Sequence, residues 1–395
     1  MPEGSMMTGL APRLRAVRKR RGLSQRELAK ISGVSFSLIS KLEQGVVEGT
    51  RLETVRKLAV AMRVSTTDLL GSAGDAEEPT DQQAPNMWEP TRRALLGQLG
   101  QPDEEPTVEG VRRGLGELKP LLASNKYGDV ALMLPGLLRD SDALNGAGRA
   151  VRARVLNATG WILTQTRQFD DAEPTLHQAI DIAGDQLDAG AAVNTLVWLH
   201  LRQGRLEEAR RWATRWADEV EPRLSRATTS QLTLWGRLLL GVSTTAIRDN
   251  RPGEAEDSIT LARAAATVIG HEAVSDTSTT RTFGPVTVAM IRAENAVIAD
   301  KPDKALAIAE RVPTANLLHA HSASRNRHRL DVASALVSTR RSTDAFAVMQ
   351  DLATMAPEWL TAQRYARDIL ARLTARRRTV TSEMRQLADL VGVPY

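Results

Sequence analysis

A chain of 395 residues exceeds what one ordinary core organises, so two or more domains are expected. The absence of cysteine excludes disulfides, thiolate metal sites and cysteine nucleophiles, and no apolar run approaches the ~18 residues that a membrane span requires. The net charge of +5 is unevenly placed: residues 1–71 hold 13 Lys/Arg against 6 Asp/Glu, a net of +7, which leaves −2 for the rest by difference.

A small basic module on a near-neutral larger one points to a polyanion facing the first module alone. The N-terminal "MPEGSMMTGL" lacks the charged-then-apolar order of a secretory signal, and with the missing cysteines this fits a reducing, cytoplasmic setting.

From Leu10 to Leu70 the apolar spacing predicts five short helices. Ser24 with Glu27 and Thr50 with Glu53 read as capping boxes, and Ser65 with Asp68 as a near relative. Gly22, Gly33, Gly45 and Gly71 fall where helices end or turn. Within "QRELAKISGVSFSLISKLEQ", Ala29 is small where a second helix crosses and Gly33 permits a tight turn. Leu28, Val34, Ile39 and Leu42 pin both helices to one core. That leaves Ser35, Phe36, Ser37, Ser40 and Lys41 facing outward, with Gln25 opening the first helix, where side chain and backbone N–H can hold a phosphate. The "RKRR" run at residues 18–21 reads as phosphate contacts or as a solvated basic face.

This stretch, with "RLRAVRKRRGLSQRELAKISGVS" before and "LETVRKLAVAMRVSTTDLL" after, resembles the Cro-like, Xre family of phage-repressor DNA-binding domains. The resemblance implies base-edge contacts from Ser35, Phe36, Ser37, Ser40 and Lys41, and phosphate contacts from Gln25 and the loop approaching Arg51. Phe36 departs from the polar reader common there. A phenylalanine can touch only a thymine methyl or pack on sugars.

Domain boundaries follow: residues 8–71 as the helix-turn-helix head, 72–86 as an acidic linker ("SAGDAEEPTDQQAP" at its heart), and 87–395 as an effector-binding and dimerisation domain. From Trp88 onward only helical periodicity and short polar turns are found, with no strand alternation. Gly160, Ala172 and Ala179 sit where a tetratricopeptide (TPR) repeat needs small residues for helices to touch, and Ala209, Ala255, Ala305 and Ala345 repeat the position. Val130 marks a degenerate earlier copy. The expected fold is all-α: a five-helix phage-repressor-like head followed by a TPR-like α-solenoid of six to seven helix pairs. An irregular helical bundle is the alternative.

Inside the solenoid, "LNATGWIL" and "VNTLVWLH" share N-x-x-x-W, which places Asn157 with Trp161 and Asn194 with Trp198 one helical turn apart on one face. Lining a concave groove, such asparagines bond both N–H and C=O of an extended peptide, and the tryptophans give flat apolar contact. Otherwise the tryptophans fill gaps between helices and the asparagines cap turns. Arg202 and Arg237 occupy neighbouring positions suited to a carboxylate. "RNRHR" at 325–329 and residues 376–378 read as solvated basic faces. In "RTFGPVTVAM" Gly284 and Pro285 suit a helix start, with Phe283 as a hydrophobic staple.

No phosphate loop, dinucleotide fingerprint, G-x-S-x-G or H-E-x-x-H is present, and His319 and His321 point to different helix faces. No enzyme, cofactor or metal site is expected. Xre heads followed by TPR-like solenoids resemble actinobacterial regulators and the peptide-sensing RRNPP-type regulators of Gram-positive bacteria, and arginine outnumbering lysine 44 to 8 is a trait of GC-rich genomes. The resemblance implies a cytoplasmic homodimer on a double-stranded DNA operator, controlled by a peptide or small-molecule effector in the solenoid. Two alternatives stand: a regulator or antitoxin whose solenoid docks a protein partner, and a scaffold with loose nucleic-acid binding.

Overall fold

A computed structural model describes residues 9–47, 50–70, 87–102, 104–144, 146–275, 281–313, 322–375 and 380–393. Gly71, the linker at 72–86, His319, His321 and residues 376–378 lie outside the described residues. The described chain is all-α apart from one pair of two-residue strands.

The head is five helices: α1 (Leu10–Arg20), α2 (Gln25–Ser32), α3 (Phe36–Glu43), α4 (Leu52–Met62) and α5 (Thr66–Leu70). Leu14, Leu28, Ile39, Leu42, Val55, Leu58 and Leu69 close a core of their own. Ser24 and Glu27 form the anticipated capping box, and Gly33 ends α2 in the left-handed region. Ser65 and Asp68 also bond reciprocally. Thr50 does not cap: α4 begins at Leu52 with Arg51 as its N-cap and no side-chain cap bond, and Glu53 pairs instead with Lys57 at 2.8 Å. One residue of offset in the helix start removes the box, because the reciprocal bonds require a fixed spacing from cap to third residue.

The remainder begins with α6 (Glu89–Leu95) and continues as stacked hairpins: α7 (Val108–Ala123) with α8 (Tyr127–Asp142), α9 (Arg149–Gln165) with α10 (Phe169–Asp181), and α11 (Gln186–Gln203) with α12 (Leu206–Glu219). Next come α13 (Thr229–Arg248) with α14 (Pro252–Ile269), α15 (Pro285–Ile298) with α16 (Pro302–Ala309), and α17 (Ala323–Ser338) with α18 (Ser342–Met355). The short α19 (Pro357–Thr361) leads to α20 (Arg364–Thr374) and α21 (Ser382–Val391). Six hairpins and this terminal pair make an α-solenoid, matching the expected number of repeats.

One turn design recurs in all six hairpins. Asn125, Arg167, Gly204, Asn250, Asp300 and Arg340 each adopt a positive φ between the two helices. At each, the N–H of that residue and of the next bond back to the last turn of the first helix, the Schellman pattern. Five residues after each turn residue stand Val130, Ala172, Ala209, Ala255, Ala305 and Ala345, all buried. Where the first helix crosses the second, space is equally short: a Cβ on Gly160 would lie 2.4 Å from Leu176 Cδ2.

Two stretches differ from expectation. Residues 273–274 and 282–283 form a short antiparallel pair, Ala273 opposite Phe283. Gly284 and Pro285 do start α15, but Phe283 is fully buried and its ring lies against Gly236 of α13, where a Cβ would come within 2.0 Å. "RNRHR" is no solvated face: Asn326 and His328 are buried, Arg327 Nε lies 3.4 Å from Asp331, and its guanidinium stands over the Tyr365 ring at 4.4 Å. Burying these groups is tolerated because they form an ion network with Glu294 and Arg248.

Candidate nucleic-acid interface and effector cavity

The second helix of the head's helix-turn-helix is positioned from beneath. Ile39 and Leu42 enter the core, and between the helices Glu43 is buried. Both its oxygens are taken: Arg18 Nη2 donates to Oε2 at 2.7 Å and Arg18 Nε to Oε1, while Gln25 Nε2 donates to Oε2 at 2.8 Å. Burial pushes the Glu43 carboxyl up, but the hydrogen bonds from Arg18 and Gln25 outweigh it and hold the group below the usual carboxylate range. Arg18 is therefore a structural cation, separated in role from its neighbours in "RKRR". Gln25 has its amide oriented by Glu43.

The outward face carries Phe36, Ser37 and Lys41, all exposed, with Ser40 half-buried. Phe36 stands 46% exposed with the Arg26 guanidinium 5.8 Å from its ring centroid. Ser35 caps α3 by accepting the Leu38 N–H at 3.3 Å, so its hydroxyl is already engaged. Arg51 pairs with Asp368 of α20 at 2.9 Å, one of several bonds between the head and the solenoid.

Most of those bonds converge on the turn after α13. Thr66 Oγ1 donates to the Arg248 carbonyl at 2.8 Å, and the Asp249 carboxylate accepts the Thr67 N–H at 2.8 Å and its hydroxyl at 3.3 Å. Asn250 Nδ2 donates to the Val64 carbonyl at 3.1 Å, and Arg56 Nε to the Ile247 carbonyl at 3.3 Å. The left-handed turn that ends α13 thus presents Asp249 and Asn250 to the start of α5. Sequence patterns do not reveal these contacts, since "RDNRPGEA" shows only a polar turn.

A second candidate site lies between α9, α11 and α13. Asn157, Trp161 and Asn194 meet there with Arg237, around a cavity of about 20 Å³ that Ser275 and Arg281 also line. Asn157 and Asn194 are only 4% and 8% exposed, and Asn157 Oδ1 accepts the Thr195 hydroxyl at 2.9 Å. Trp161 and Trp198 stack with centroids 6.3 Å apart. Trp198 and Arg202 adjoin the cavity without lining it: Arg202 and Arg281 sit over the Trp198 ring at 5.4 and 4.9 Å, and Arg202 Nη1 reaches Gln363 Oε1 at 3.4 Å. Arg281 was not anticipated. It is placed there by the antiparallel pairing of residues 273–274 with 282–283, which periodicity does not encode.

Comparison with known proteins concerns the head. The family described as Helix-turn-helix matches residues 14–69. The HTH-type transcriptional repressor RghR of Bacillus subtilis (strain 168) is 37% identical over 79 residues, 20% of this chain and 58% of the relative. A protein named uncharacterized HTH-type transcriptional regulator RghRB, from the same organism, is 35% identical over 68 residues, 17% of this chain and 49% of the relative. The chain spans about half the length of these relatives. Residues 14–69, with the capped α2, the left-handed Gly33 and the buried Arg18–Glu43 pair beneath α3, are a helix-turn-helix domain of the Xre type.

Proposed function

We propose that the protein is a sequence-specific, DNA-binding transcriptional regulator whose α3 lies in the major groove. The carrying observation is the short α3 itself, locked from below through Ile39, Leu42 and Glu43 and leaving Phe36, Ser37 and Lys41 exposed. The names of the two Bacillus relatives agree with it. In this reading Ser35, Ser37, Ser40 and Lys41 read base edges, Phe36 meets a thymine methyl, and Gln25 and Arg51 lie toward the phosphates. Selection from randomised duplexes by the full-length chain tests it. Ser37→Ala with Lys41→Ala is expected to weaken specific binding by about 1–3 kcal/mol per lost contact, with little change in melting temperature. The same motif selected at undiminished affinity by the double variant would sink the assignment.

The TPR-like solenoid is read as the sensing and dimerising part. One helix supports this: α13 lines the cavity through Thr233, Leu234 and Arg237 and ends at Arg248, whose carbonyl holds the head. Twelve residues separate Arg237 from Asp249, about 18 Å of helix. An effector that parts the lining side chains, a peptide or a small molecule, would act on the same rigid rod that holds α5. The deep burial of Asn157 and Asn194 favours such a ligand over a broad protein-docking surface. Replacing both asparagines with alanine is expected to abolish the effector's influence on operator affinity. Dimerisation through residues 355–390 rests on Met355 and Leu390, which remain exposed near the solenoid's end. Light scattering that finds a monomer still tight on operator would overturn the dimer.

A further inference from the structure

The solenoid closes on itself. Buried apolar side chains of α6–α11 and of α17–α21 form one cluster, although the hairpins from α12 to α16 lie between them in the chain. Two polar contacts join the ends. The Glu358 carboxylate of α19 accepts the Gly128 N–H at 2.9 Å, and Arg202 Nη1 of α11 donates to Gln363 Oε1 at 3.4 Å. Gly128 stands in the first turn of α8, whose N-cap Lys126 makes no side-chain cap bond. Glu358 therefore meets an open donor of that helix from 230 positions away.

The same C-terminal block touches the head. Asp368 of α20 pairs with Arg51, and Arg372, one turn on, lies within electrostatic reach of Glu53. These contacts are lightly held. Glu358 is exposed, and the Arg51 and Asp368 side chains are 57% and 27% exposed, a setting in which an ion pair is weak. α19 has only five residues and non-helical joints on both sides, at Ala356 and Gln363. Trp359 within it is buried, yet its indole N–H has no hydrogen-bond partner, a donor that the closed form leaves unmet. The cavity between α9, α11 and α13 has room for about one water, so a larger effector reaches its lining only if the solenoid opens.

We infer that α19 and α20 form a two-ended clasp: one end closes the solenoid on α8 and α11, and the other holds Arg51 of the head. When the clasp opens, Glu358 and Gln363 leave α8 and α11, and Asp368 leaves Arg51. The head stays in place, because the bonds of Thr66, Thr67 and Asn250 are made at the turn after α13 and not at the clasp. Arg51 then exchanges a carboxylate for a phosphate. With the clasp shut, a phosphate on Arg51 meets the Asp368 carboxylate, 2.9 Å from that cation, as a like charge. The inference rests on the readings of Arg51 as a phosphate contact and of the solenoid as the sensor, and it names the part that moves between them.

The chain has no cysteine, so two introduced thiols can carry spin labels alone. Asp129→Cys adjoins Gly128 and Thr354→Cys precedes α19, both at exposed positions. Label distances are measured in the full-length chain with and without Glu358→Ala/Arg202→Met. Binding of the unlabelled wild type, Glu358→Ala/Arg202→Met, Asp368→Ala and the triple variant to a short duplex of random sequence is titrated with salt, and circular dichroism checks each fold. The wild type should give one short distance. Glu358→Ala/Arg202→Met should add a longer one and steepen the log–log salt dependence by up to about 0.9 per head, the effect of Asp368→Ala alone, with no further gain in the triple variant. If the double variant fails to fold, Glu358→Ala at its exposed side chain carries the comparison. A steeper slope in Asp368→Ala, with distance or slope unmoved by Glu358→Ala/Arg202→Met, would overturn the clasp and leave Arg51 as a phosphate contact. An unchanged slope in Asp368→Ala, or no binding of the duplex by any form, would overturn both.

Discussion

Glu43 shows how much one side chain decides in the head. It receives Arg18 and Gln25 together, so it joins α1, the start of α2 and the end of α3. Glu43→Ala leaves the Arg18 guanidinium buried without a counter-ion, holding only the Leu23 carbonyl through Nη1 at 2.7 Å, and a loss of about 3 kcal/mol in urea unfolding of the head is expected. Because the folded carboxyl is held below its ordinary value, its contribution is present above about pH 4.3 and lost as pH falls through the lower folded value. His328 acts in a different window. Burial, with the nearby Arg325 cation, pushes its imidazole down to about 4, against the opposing pull of Glu294. A depressed folded value means stability that is complete above about pH 6.5 and erodes as pH falls from there toward 4, in total about 3 kcal/mol. Denaturant titrations between pH 7 and 4 should therefore show stability falling more with acid, or rising less, in wild type than in His328→Gln. Equal slopes would show that the ring does not stay neutral in the fold.

For single elements, the hairpin turn is the unit that repeats. A left-handed residue, two backbone bonds back to the first helix, and a small residue five positions on set both the reversal and the closeness of the helices. Glycines elsewhere answer to local space rather than to the turn. Gly160→Ala would put a methyl 2.4 Å from Leu176 Cδ2, an overpacking expected to destabilise by about 1–3 kcal/mol. Gly116 of α7 is exposed, and a methyl there would meet nothing within 4 Å, so Gly116→Ala should stabilise by about 0.5–1 kcal/mol through helix propensity. Opposite shifts in melting temperature are thus expected from the same chemical change. The turn was legible in sequence as a polar run before an alanine. The crowding at Gly236 was not, because Phe283 reaches it from 47 positions away in the chain.

On the scale of the whole molecule, the head is not free beside its solenoid. Asp249 and Asn250 hold the α4–α5 region, and Asp368 holds Arg51. Releasing Arg51 adds one cation that can neutralise a phosphate. Asp368→Ala should therefore steepen the log–log salt dependence of operator binding by about 0.9 and raise affinity at low salt. An unchanged slope would remove Arg51 from the phosphate contacts. Asp249→Ala removes the acceptor for the Thr67 N–H, and that amide should exchange faster with solvent while α2 and α3 keep their protection.

What the sequence determined alone is what local rules decide. Helix caps, left-handed glycines and the 3.6-residue period act within a few neighbours, and they marked α2, Gly33, α3 and the alanines of five of the six hairpins. They identified the outward residues of α3 by elimination, since Leu28, Val34, Ile39 and Leu42 had to face inward. Tertiary structure decided everything that depends on partners far along the chain. The Arg56 bond to Ile247 spans 191 positions, and the bonds from Thr67 to Asp249 span 182. It turned "RNRHR" from a solvated face into a buried ion network, and it drew Arg281 into the cavity beside Arg237. Burial and pairing of a charged side chain are set by the surface that meets it. A helical period specifies which face a residue occupies and carries no record of what packs there.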